Sequence, residues 1–126
     1  MIINKFSDIE SWKEARILVR EVYKLSANSR LSKDFGLKDQ IQRASVSIMS
    51  NIAEGFDSGS TKPFINYLNH AYGSSSEVQS LLFIAKDIGY ISEEEFEQLT
   101  DRVEKVRKLI GGFIKYLKST QSKTKN

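Results

Sequence analysis

Apolar residues recur at intervals of three and four along almost the whole chain, in four runs with short breaks between them, and that period admits little other than packed helices. Trp12, Ala15, Leu18, Val19, Val22, Tyr23 and Leu25 form the first run, and Ser7 with Glu10 has the spacing of a capping box, so a helix is expected over about 8–28. The segment "SRLSKDFG" interrupts the pattern. Leu37, Ile41, Ala44, Ile48, Ile52 and Phe56 resume it until the glycine, serine and proline of "GFDSGSTKP" break it again. Thr61 before Pro63 is a helix start, and Phe64, Leu68, Ala71, Val78, Leu82 and Ala85 carry a third helix to Ile88, with Gly89 as the stop. Ser92 and Glu95 form another capping box. It opens a fourth helix on Phe96, Leu99, Val103, Val106, Ile110, Phe113, Ile114 and Leu117, which tolerates Gly111 and Gly112 at about 1 kcal/mol each.

Short connections between helices of this length favour antiparallel neighbours. The expected fold is therefore all-α, an up-down-up-down antiparallel four-helix bundle over residues 1–119 with a basic polar tail at 120–126. A chain of 126 residues that is 40% hydrophobic builds one core. With one proline, no long apolar run and no apolar stretch in "MIINKFSDIE", neither a membrane span nor a secretory signal is expected, and the reading is a soluble cytoplasmic protein. The absence of cysteine removes disulfides, thiolate nucleophiles and most structural zinc sites.

The second helix carries a further pattern. Gln40, Arg43, Ser47, Asn51 and Glu54 fall within about 80° of arc along one edge of its apolar face. Such a row suits catalysis, a nucleic-acid surface or a polar seam between helices. If the following turn centres near Ser60, residues at one level have numbers summing to about 120. Arg43 then meets Glu77, and Ser47 meets the small residues of "GSSSE", so the seam is expected to comprise Gln40, Arg43, Ser47, Asn51, Glu54 and Glu77, with Arg43 and Glu77 ion-paired.

Catalytic constellations are not evident. His70 is the only histidine, the position three before it is Tyr67, and no acid lies within one turn of it on its helical face, which argues against a di-metal site or a nucleophile-histidine pair. "GFDSGS" lacks the Lys-Ser/Thr ending of a phosphate loop. Glu54 and Glu77 lie ~16 Å apart by the same ruler, too far to share one bond. No catalytic residue, metal or cofactor is expected.

Charge is unevenly spread. Residues 1–104 hold twelve Lys/Arg against all sixteen Asp/Glu, whereas residues 105–126 hold seven Lys/Arg and no acid. A helix C-terminus favours cations, so this end suits either solubility or a polyanion. Lys13, Arg16, Arg20 and Lys24 also share about 80° of the first helix, bordered by Trp12 and Tyr23, which are read as core-edge aromatics. With Lys105, Lys108, Lys115 and Lys118 of the fourth helix they are the candidate nucleic-acid-binding residues; level counting lets the two faces merge along the seam between these helices, while Glu10, Glu14 and Glu21 border the first stripe on its other side and offer intrahelical pairs, Glu10 to Lys13 and Glu21 to Lys24, that work against it.

The stretches "FGLKDQIQRASVSIMSNIAEGF" and "GSTKPFINYLNHAYGSSSEVQSLLFIAKDIGYIS", preceded by "SWKEA" and "VYKLS", resemble the large-subunit ribosomal RNA intervening-sequence proteins over about residues 6–118. That family is similar in fold to the accessory variability determinant of diversity-generating retroelements. The resemblance rests most on "SNIAEG" and the "GSxxE" run, with motif positions at Trp12, Gly36, Gln40, Arg43, Ser47, Asn51, Glu54, Gly55, Gly73 and Glu77. It implies a homopentamer of four-helix bundles, no enzymatic activity and an RNA-binding role. Ser58, Gly59 and Pro63 depart from the family's charges after the "AEG" run, which counts against a phosphate contact at that loop. Two functions are carried forward: nonspecific binding of RNA or DNA through the cationic surface, and a protein adaptor for a reverse transcriptase or ribosomal component.

Overall fold

The computed structural model describes residues 3–27 and 30–124, with side chains as far as Gln121. Four helices, α1 Glu10–Ala27, α2 Phe35–Asp57, α3 Thr61–Asp87 and α4 Glu93–Thr124, follow one another through short connections. Each packs on its two neighbours around a closed ring, α1 on α2, α2 on α3, α3 on α4 and α4 on α1. This is the expected all-α, up-down-up-down antiparallel bundle, because links of a few residues cannot carry the chain to the far end. No strand occurs among the described residues.

Side-chain caps set the starts of α2 and α4. The Ser92 hydroxyl accepts from the Glu95 N–H at 3.0 Å while Glu95 Oε1 accepts from the Ser92 N–H at 2.8 Å, the reciprocal box expected there. Asp34 Oδ1 accepts from the Leu37 N–H at 3.1 Å and caps α2. The box expected between Ser7 and Glu10 does not form. A 3-10 turn over Phe6–Asp8 replaces it, with Asp8 Oδ2 accepting from the Asn4 and Lys5 N–H groups, both at 3.3 Å. That turn sends Ile9 into the core at 2% exposure, and α1 begins only after it. Asn28, expected to end the first helix, lies outside the described residues. At the other end α4 continues to Thr124, beyond the boundary drawn at residue 119; residues 125 and 126 lie outside the described residues.

Leu18, Val22, Ile41, Ile48, Leu68, Leu82, Val103 and Ile110 are fully buried and bring the four apolar stripes together. Three residues outside the four α-helices, Ile9, Leu31 in a 3-10 turn over Arg30–Lys33, and Ile91, plug the bundle at its ends. The Tyr90 hydroxyl donates to Asp34 Oδ2 at 3.0 Å, tying the α3–α4 connection to the start of α2. That bond, with burial and the carboxylate charge behind it, holds the phenol above its ordinary pKa of 10.0. Its stabilisation is therefore present below pH 10 and fades as pH rises through the raised value.

The polar edge of α2 does meet α3, but over a shorter stretch than expected. Ser47 Oγ and Ser74 Oγ are 2.9 Å apart across the two helices, and Asn51 Nδ2 donates to Ser47 Oγ at 3.0 Å and to the Ser47 carbonyl at 2.8 Å. Gln40, Arg43, Glu54 and Glu77 are exposed instead. The expected Arg43–Glu77 pair is absent: Arg43 Nε donates to Asp39 Oδ2 at 2.8 Å, with 80% of the Arg43 side chain exposed. The acid one turn earlier on the same helix is in reach with no demand on helix rotation, so the local pair wins. Ser47→Ala should accordingly cost about 1 kcal/mol, and Arg43→Met less than about 0.5 kcal/mol, as for an exposed pair. Urea denaturation of both variants checks this; a loss of several kcal/mol for Arg43→Met would bring the interhelical pair back.

Candidate nucleic-acid interface

Lys13, Arg16, Arg20 and Lys24 are all exposed, on the side of α1 opposite Ala15, Leu18 and Val22. Helical spacing alone puts them there. Lys13 is held by Glu10 at 3.4 Å, and the Arg16 guanidinium lies 5.8 Å from the centre of the Trp12 ring. Trp12 itself is partly buried against the core and meets Phe6 edge-on at 5.2 Å. It is a wall of the bundle, as read from its position at the edge of the stripe, and its ring is not a free stacking face. Arg20 has no ion pair among the described residues.

On α4, Lys108, Lys115 and Lys118 are exposed and have no ion pair among the described residues. Lys105 differs: its Nζ lies 3.0 Å from Glu14 Oε1. Arg107 is also occupied, 3.5 Å from Glu104, donating to the Tyr72 hydroxyl at 3.2 Å and stacked over that ring at 4.8 Å.

The merging of the two basic faces does not occur. Between them Arg102 bridges Glu14 at 3.3 Å and Glu21 at 3.3 Å, and Lys105 completes the group. Glu14, only 13% exposed in its side chain, takes two cations at once. The acids on the α4-facing side of α1 therefore neutralise the seam, leaving two cationic strips on either side of it. Arg102 escaped the sequence reading because nothing in its local spacing marks it; only the α1–α4 packing brings it between Glu14 and Glu21.

An apolar cleft of about 460 Å³ opens where the start of α1 meets the C-terminal half of α4. Ile3, Ile9, Leu109, Phe113 and Tyr116 give it apolar walls, Gly112 leaves room in it, and Ser11, Glu10 and Lys108 are its polar lining. The Ser11 hydroxyl is buried without a hydrogen-bond partner. Sequence periodicity assigned Ser11 no role, since a single serine on an apolar face is a common event.

His70, Glu54 and Glu77 are each exposed on the outside of the bundle. Among the described residues no group of three or more His, Asp or Glu side chains is arranged to hold a metal ion. No helix of the described residues is long and apolar enough to cross a membrane.

Comparison with known proteins places this geometry in a wider set. The model of a family described as the 23S rRNA-intervening sequence protein matches residues 7–112. A crystal structure of a protein of unknown function from the S23 ribosomal protein family of Bacteroides thetaiotaomicron is similar at a TM-score of 0.76 and 28% sequence identity, over 83% of this chain and 98% of that one. No curated protein matches the chain.

Proposed function

The chain belongs to the 23S rRNA-intervening sequence protein family, and from that premise we propose that it is a non-enzymatic, homo-oligomeric bundle of the cytoplasm that binds RNA nonspecifically through its phosphates. The observation that carries this reading is the outer face of α4, where Lys108, Lys115 and Lys118 project with no ion pair among the described residues, in a segment, 105–126, that contains no acid. Arg16 and Arg20 on α1 supply the second strip. Cations that no carboxylate neutralises can release the counterions of a polyanion, which is the main source of nonspecific affinity.

Assembly into a pentamer would repeat both strips around an axis. Phe83, Ile84 and Ile88, exposed at 49%, 44% and 49% near the end of α3, support an interface, with Val46 on α2 at 37%. Met49 of α2 is partly buried against the core and adds nothing to that surface.

Fluorescence anisotropy with structured RNA, single-stranded DNA and duplex DNA at several salt concentrations tests the reading. Log affinity should fall with log salt at a slope of about −3 to −5, with little dependence on base sequence. Replacing Lys108, Lys115 and Lys118 together by glutamine should flatten that slope by about two while leaving helical content unchanged. Light scattering on the same samples should give a mass near five times 14.4 kDa. Absence of binding to every probe at low salt would reject nucleic acid as the ligand and move the protein-adaptor reading ahead.

A further inference from the structure

We propose that the cleft between the start of α1 and the C-terminal half of α4 takes up one unpaired nucleobase, stacked against Tyr116 and held at its edge by the Ser11 hydroxyl, while Lys108 meets the neighbouring phosphate. This deepens the nucleic-acid reading and rests on it for the phosphate contact.

The cleft, at about 460 Å³, falls within the size range of small-ligand sites, and its walls are mostly apolar. A flat ring with two apolar faces and a polar edge suits that composition. Ser11 supplies the partner for the edge: it is 2% exposed, lines the cleft and has no hydrogen-bond partner for its hydroxyl oxygen. A buried hydroxyl is normally satisfied, so an unpaired one on the wall of a cleft points to a ligand group. Because a hydroxyl both donates and accepts, it can engage any of the bases, in keeping with sequence-tolerant binding.

Tyr116 presents the stacking face. Its residue is 62% exposed, unusual for an aromatic beside an apolar hollow, and base stacking on such rings tolerates every base. Gly112 makes the space: a Cβ built there would meet nothing within 4 Å. The occupant is a base and not an apolar peptide or acyl chain because of the charge around the opening. Lys108 lines the cleft without an ion pair among the described residues, and Glu10, the acid of the lining, is already engaged by Lys13. The nearby Lys115 extends the positive rim on α4, which complements phosphates on either side of an extruded base.

Single-stranded RNA carrying one 2-aminopurine, duplex RNA without unpaired bases, and free nucleosides are the probes. With the wild-type protein the 2-aminopurine fluorescence should be quenched on binding, and ligand-observed NMR should register saturation transfer to free nucleosides. Gly112→Leu fills the cleft at a helical position with open space around it. It should remove the quenching and the nucleoside signal and weaken single-strand binding at least about tenfold, with duplex binding and circular dichroism unchanged. Ser11→Ala should weaken nucleoside binding about fivefold, the worth of one neutral hydrogen bond.

Unquenched 2-aminopurine in a complex that forms, or full nucleoside binding by Gly112→Leu, overturns the base site and leaves phosphate binding intact. If no nucleic acid binds, the free nucleosides still decide, and absence of saturation transfer overturns the base site independently. A wild type that ignores nucleosides, with a Gly112→Leu variant of altered oligomeric mass, makes the cleft a contact between copies and overturns it as well.

Discussion

Gly55→Leu is expected to destabilise the bundle by at least about 3 kcal/mol, and Gly55→Ala by about 1–2 kcal/mol, despite the better helix propensity of either replacement. At this point α2 and α3 approach so closely that a Cβ on residue 55 would lie 2.8 Å from both Phe64 Cδ1 and Tyr67 Cβ. Neither neighbour yields easily. The Tyr67 Cβ is fixed to the α3 backbone, and the Phe64 ring stands edge-on to Phe56 at 6.1 Å and to Phe113 at 5.2 Å. Relief therefore requires the helices to part, which would also strain the Ser47–Ser74 contact farther along the same interface. Gly112→Ala is the contrast, since nothing lies within 4 Å of its Cβ and the helix gains up to about 1 kcal/mol. Thermal and urea denaturation followed by circular dichroism measure all three; a Gly55→Ala protein as stable as the wild type would show that the helices do not meet this closely.

Glu14→Gln should lower stability by about 1–2 kcal/mol and at the same time tighten nucleic-acid binding. Glu14 accepts from Arg102 and is paired with Lys105, and it is the most enclosed carboxylate of that network at 13% side-chain exposure. Hydrogen bonds to a charged group are worth about 1.5–3 kcal/mol. The value is discounted here because Arg102 is 31% exposed and keeps Glu21, and because Lys105 is 58% exposed and regains water. The second effect follows from charge. Without Glu14 the Lys105 ammonium is no longer neutralised while Arg102 keeps Glu21, so one free cation is added between the strip carrying Arg16 and Arg20 and the strip carrying Lys108 and Lys115. Affinity for structured RNA should rise several-fold and the salt slope steepen by about one. Anisotropy titrations beside a denaturation curve separate the two effects. Weaker RNA binding by a still-folded Glu14→Gln protein would mean that the seam lies away from the bound phosphates.

Four helices, their order, the antiparallel bundle and the core stripes were legible in the sequence, as were the capping box at Ser92 and the stop at Gly89, because periodicity and capping are local properties. The segregation of charge into an acid-free segment was equally plain, since it needs only a count. The level ruler also worked along the helix axis, bringing Ser47 to Ser74, within one residue of the expected Gly73. It failed around the axis. A rotation of a few tens of degrees keeps the main apolar stripes on the core but turns Arg43 and Glu77 outward, while Asp39, one turn from Arg43, takes the ion pair. The partners of charges across helices were decided by packing in the same way: Arg102 between Glu14 and Glu21, Lys105 on Glu14, and the neutral seam they form. The cleft holding Ser11 and Tyr116 likewise arises only when the start of α1 is laid against the end of α4, more than a hundred residues later. Sequence period determines which face of each helix is buried; the tertiary fit alone determines which side chains at the border of that face meet, because the border is where a small rotation exchanges one partner for another or for water.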